Sequence, residues 1–191
     1  MSVFISSGCC VMLAWMFLVL PVRWILPAML AVFFHEACHY LAILLCTGKT
    51  ASVGFYSFAA RMPLPQMGRG QELFCALAGP LGGLLLGLLL PVFPRLALCG
   101  LIQSLYNLLP VYPLDGGRAL RSLLKILLPP IYADWVCIFL QWLCIGSLLI
   151  LGIYAAAVWK LGLFPLAATG MLIIKSLNRK IPCNADVLAL Q

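Results

Sequence analysis

Apolar residues run almost unbroken for about twenty positions at a time, six times over, at roughly 3–22, 25–46, 73–93, 96–114, 133–157 and 161–177. About 20 residues is the length of helix needed to cross the hydrocarbon layer of a bilayer. In that layer a backbone N–H or C=O has no water to bond. Each run is therefore expected as a helix, which satisfies these groups internally. The 191 residues are 64% hydrophobic and only 9% charged, against roughly 25% charged in soluble domains. The expected class is an all-α polytopic membrane protein with about six transmembrane helices, occupying 1–191 as a single domain. Met1 to Leu20 lacks the basic start and small-residue cleavage site of a secretory signal, and is expected as a retained first span.

The charges between the runs set an orientation. Arg23, Arg95 and Lys160 fall on one side, and the other nine basic residues, from Lys49 to Lys180, on the other. By the positive-inside rule both termini are expected in the cytoplasm of a multi-pass protein of the cell membrane. The net charge of +7 lies in these connections without an interleaved aromatic platform, so no nucleic-acid partner is expected. The nine cysteines are scattered, mostly within apolar runs and with no Cys-x-x-Cys pair, which fits buried packing better than a disulfide framework.

Two connections have a pattern of their own. Ala51 to Arg61 carries Val53, Phe55, Tyr56 and Phe58 and is followed by Pro63 and Pro65. It reads as a short membrane-associated β-hairpin between the second and third helices, either an edge that could pair with an extended peptide or a simple interfacial hairpin. Gly117 to Leu128 places Arg118, Arg121 and Lys125 opposite a row of leucines before Pro129-Pro130. That is the pattern of an amphipathic surface helix, with the basic side expected to touch lipid headgroups.

The chain has only two histidines, and they stand four apart in His35-Glu36-Ala37-Cys38-His39, within the second run. Ionisable groups in a span are costly and mark function by default. Four-residue spacing puts both imidazoles on one helix face, as a single zinc ion requires, with Glu36 placed to handle a bound water. A hydrolytic site needs a third protein ligand and an open position. Of the five acidic residues, Glu72, Asp134 and Asp186 read as solvated charges near interfaces or in the tail. Asp115 ends the stretch Asn107-Leu-Leu-Pro-Val-Tyr-Pro-Leu-Asp-Gly-Gly117, where prolines and glycines forbid a continuous helix. Broken helix at membrane depth survives only where protein or water covers the freed backbone, so this stretch is expected to line the same cavity as the histidines.

With these residues in place, the chain resembles the site-2 protease family of intramembrane zinc metalloproteases. The run Asn107 to Gly117 is similar to the family's second signature, and Ala78-Gly79-Pro80 to a third element, so the resemblance covers roughly 25–128, the core of the domain. It implies one zinc ion held by His35, His39 and Asp115, with Glu36 as general base, and Asn107, Pro110, Gly116 and Gly117 positioning substrate or its oxyanion. It also implies a membrane-embedded or membrane-associated protein substrate, cut near the cytoplasmic side, and a separate membrane inhibitor or regulator. With no inserted PDZ domain and a small six-span layout, the chain looks most like the stage IV sporulation protein FB type, which points to a sigma-factor precursor or anti-sigma factor as substrate; the CBS domain that members of that branch often carry at the C-terminus is not expected here, a departure from the branch. The pattern departs from the family's commoner form at Cys38 and Gly83. Cys38 is expected to pack against a neighbouring span. The rival readings are a polytopic metal-ion transporter and a non-catalytic metal-binding membrane protein, and the retained Glu36 speaks for catalysis.

Overall fold

The structure, a computed structural model, describes residues 21–48 and 67–158, the backbone of 3–5, 53–56 and 59–61, and helical positions at 169–170, 172–174 and 176–177. The described chain is mostly helical. Three helices are long and apolar enough to cross a bilayer: α1 (Val22–Thr47), α2 (Arg69–Leu86, extended to 89 by a 3-10 turn) and α5 (Pro130–Val158). They coincide with the expected runs at 25–46, 73–93 and 133–157. The first expected span departs: Val3–Ile5 is a strand (β1), and most of the rest of 3–22 lies outside the described residues, as does most of 161–177. Val53–Tyr56 (β2) and Ala59–Arg61 (β3) complete a three-stranded sheet of order β1-β2-β3. β1 runs parallel to β2, with Val3 opposite Val53, and β2 antiparallel to β3, with Phe55 opposite Ala60.

The expected fourth span, 96–114, is the clearest correction. The helix there, α3 (Pro94–Asn107), has 14 residues, about 21 Å at 1.5 Å per residue and too short for a roughly 30 Å layer. Hydropathy carries on to Leu114, but Pro110 and Pro113 lack the N–H that a helix needs there, and the backbone turns back on itself. Val111 N–H bonds to the Leu109 carbonyl at 2.7 Å, and Leu114 N–H to that of Val111 at 2.8 Å. The helix resumes as α4 (Asp115–Leu127).

The chain divides into two compact units, 1–107 and 108–191. In the first, α1 buries the stripe Ala31, His35, His39 and Ala42, spaced by three and four residues, while Phe33, Leu41 and Leu45 on its other faces stay more than half exposed, as lipid-facing residues would. α2 meets α1 and α3 with Cys75, Ala76, Gly79, Gly82 and Gly83. With so little side chain between them the helices approach closely, the usual mode of association where lipid offers no hydrophobic drive. α1 ends at Gly48, whose φ of 64° is the left-handed turn that caps a helix without a Cβ penalty; its N–H bonds the Leu44 carbonyl at 2.8 Å. At the start of α2, Gln71 reaches back to the Gly68 N–H at 3.1 Å.

In the second unit, Val111 and Leu114 pack with Ile145 and Leu172 into a buried cluster. α4 is amphipathic as expected, but its basic residues do not all face headgroups. The Arg121 Nε donates to an Asp134 oxygen at 2.9 Å, and the Lys125 ammonium lies 3.6 Å from the same oxygen. The Lys125 side chain is 3% exposed and that of Asp134 14%. Asp134 is therefore no solvated interface charge; it ties α4 to α5. Burial alone would lower the Arg121 pKa, but the hydrogen bond and charge of Asp134 outweigh it and hold the guanidinium above its ordinary range.

Candidate metal centre

Because α1 continues regularly through 35–39, both imidazoles leave it on the buried stripe, where His35 is 2% exposed and His39 9%. Their Nε2 atoms stand 3.2 Å apart, with the rings nearly perpendicular at 82°. The His39 tautomer follows from its other nitrogen. Nδ1 lies 2.7 Å from the Cys75 carbonyl oxygen, which can only accept, so Nδ1 carries the proton and Nε2 keeps its lone pair in the neutral ring. A metal-ligating histidine is oriented by such a bond. The spacing fits the ion as well. Two Zn–N bonds of about 2.0–2.1 Å at a tetrahedral angle set their nitrogens roughly 3.3 Å apart, close to the observed 3.2 Å.

α2 makes room for this pair. A Cβ built on Gly79 would sit 2.2 Å from His39 Nε2, so glycine here is what lets the imidazole lie against the α2 backbone. One turn on, a Cβ at Gly82 would come 2.3 Å from Cys38 Sγ. Cys38 thus packs over a glycine of the neighbouring helix, in line with the expectation from sequence. α3 contributes its last residue: the Asn107 amide nitrogen lies 3.5 Å from His35 Nε2, at the rim of the pair. Glu36, next along α1, is half-buried. The first unit thus brings His35, His39 and Asn107 together, next to Gly79.

The other expected site residues lie in the second unit. Asp115 opens α4, where a carboxylate is favoured by the helix dipole, and Arg118 one turn on lies 3.9 Å from it. The glycines after it serve close packing: a Cβ on Gly116 would fall 2.2 Å from the Leu108 carbonyl oxygen, and one on Gly117 2.5 Å from the Val111 carbonyl carbon. The loop containing Pro110 is thereby laid directly on the first turn of α4. Sequence reasoning did not find the Cys75 carbonyl, which as a backbone group leaves no mark in residue type. Nor did it single out Gln141, although the one amide side chain of a 29-residue helix apolar enough to cross a bilayer is such a mark.

No family model matches this sequence, and no curated protein matches it. Among solved structures the fold is similar to one titled Site-2 Protease from Methanocaldococcus jannaschii, with a TM-score of 0.65 and 18% sequence identity over 91% of this chain and 87% of that one. At that identity the likeness concerns the fold.

Proposed function

We propose that the protein is an intramembrane metalloprotease in which His35, His39 and Asp115 hold one zinc ion. The observation that carries this reading is the histidine pair inside a span-length apolar helix: two facing Nε2 atoms 3.2 Å apart, one with its tautomer set by a backbone carbonyl. The fold likeness supports it, and so does the donor set. Two imidazoles and a carboxylate leave a fourth position open, as hydrolytic zinc sites do and closed structural sites do not.

Zinc bound there would supply a water of lowered pKa and polarise the scissile carbonyl. The chain's own residues do the rest. Glu36 takes the proton of that water and passes it to the leaving amine. The Asn107 amide, at the rim of the pair, donates to the developing oxyanion, and the loop around Pro110 with Gly116 and Gly117 shapes the approach. A substrate helix hides its amides in its own hydrogen bonds, so it must be locally extended before cleavage. Pairing with the strands at 53–61 would hold it so. The substrate is a membrane-embedded or membrane-associated protein, of the sigma-factor precursor or anti-sigma factor class, cut in the cytoplasmic half of the bilayer with both termini of the enzyme in the cytoplasm. A separate membrane protein regulates it.

Glu36→Gln tests the reading. A protease loses cleavage by about 10²–10⁴-fold while zinc content is unchanged. Should cleavage of membrane substrates persist in this variant, the assignment of the base fails; a transporter or scaffold would be indifferent to the change.

A further inference from the structure

Gln141 lies in the middle of α5, 5% exposed, in a helix otherwise apolar enough to cross a bilayer. An amide at such depth costs free energy unless both its ends are bonded. Both are. The Tyr112 backbone N–H donates to Gln141 Oε1 at 3.0 Å, and Gln141 Nε2 donates to Ser176 Oγ at 2.5 Å. Since a backbone N–H can only donate, the amide orientation is fixed by its partner.

The bond to Tyr112 matters because of where Tyr112 is. In the loop 108–114, Pro110 and Pro113 have no N–H, and those of Val111 and Leu114 bond within the loop. Besides the Leu114 carbonyl, which accepts from the Arg118 N–H at 3.1 Å where α4 begins, the Tyr112 N–H ties this loop's backbone to a further element, α5. One turn along α5 from Gln141, Ile145 packs with Val111 and Leu114. A single face of α5 thus grips the loop by one polar and one apolar contact, three residues before Asp115. We infer that Gln141 is a positioning residue for Asp115: through Tyr112 it holds the loop that presents this carboxylate. The inference rests on the metal-site reading above and adds to it a group that touches neither metal nor substrate.

The test compares Gln141→Leu, which removes both bonds but suits an apolar helix, with Gln141→Glu, whose carbonyl oxygen still accepts from Tyr112. Two quantities are read on purified protein: hydrogen exchange of the peptide containing Tyr112 in the metal-free state, and zinc affinity by chelator competition. In Gln141→Leu, Tyr112 exchange should quicken and zinc affinity fall about tenfold, the lower end of the loss seen when a ligand's supporting bonds are removed. Gln141→Glu should stay within about threefold of wild type in both. Unchanged Tyr112 exchange in Gln141→Leu, or quickened exchange with unchanged zinc affinity, overturns the inference. An affinity that falls in His35→Ala but not in Gln141→Leu overturns the role of Gln141 alone; one that ignores both variants overturns the metal site as well.

Discussion

The two units hold their chemistry in opposite ways. In 1–107 the histidine pair is fixed by the absence of side chain: Gly79 lets His39 lie on the α2 backbone, Gly82 does the same for Cys38, and one carbonyl bond sets the His39 tautomer. In 108–191 the Asp115 loop is held by added polar groups, with Gln141 on Tyr112, Arg118 near Asp115, and Asp134 binding Arg121 and Lys125. Helices that cross the bilayer gain little from hydrophobicity when they associate, so close approach of backbones is their means of precision. A loop broken by prolines has backbone groups to satisfy, and polar side chains from neighbouring elements satisfy them. The difference teaches that a rigid site in apolar surroundings can be made by subtraction where the backbone is regular, and needs addition where it is not.

The contrast can be broken most severely at Gly79. A methyl group in Gly79→Ala would lie 2.2 Å from His39 Nε2, so the ring must swing away from the Cys75 carbonyl. Zinc affinity, read by chelator competition, should fall by at least about 100-fold, beyond the effect of losing one supporting bond. The global cost should stay near 1–3 kcal/mol, as for other overpacked sites. An affinity equal to wild type would show that the glycine does not shape the pair. An effect on stability, with metal affinity left as it is, is expected at Asp134. Asp134→Leu leaves Arg121 and Lys125 without their shared carboxylate. Removing one partner of a buried ion group costs about 3–5 kcal/mol, and replacing the whole group by apolar residues restores much of it. Thermal unfolding in detergent should therefore drop for Asp134→Leu and recover when Arg121→Met and Lys125→Leu are added. If the triple variant is no more stable than the single one, the loss in Asp134→Leu does not come from the two cations left behind.

Much of the helical framework was legible in the sequence, in both units, because its constraints are short-range. A bilayer dictates helix length, so runs of apolar residues anticipated α1, α2 and α5 to within a few positions. Four-residue spacing puts His35 and His39 on one face of any regular helix. The proline-broken stretch after Asn107 was legible for the same local reason. Its effect on α3 was misjudged, because hydropathy continues to Leu114 while the helix stops at Asn107. At Val3–Ile5 a run of span-like hydropathy begins as a strand, since apolar residues suit both forms and periodicity does not separate them. The inward turn of Arg121 and Lys125 toward Asp134 was not legible either. An amphipathic pattern tells which residues share a face, and only tertiary packing tells what that face meets.

The central claim is that two imidazoles and a distant carboxylate share one cation, and it is tested most directly by metal analysis of the purified protein. Wild type should carry one zinc per chain, and His35→Ala, His39→Ala and Asp115→Ala should each lose it or bind it far more weakly, with their helical content unchanged. An Asp115→Ala protein that keeps a full equivalent of zinc at wild-type affinity would contradict the claim.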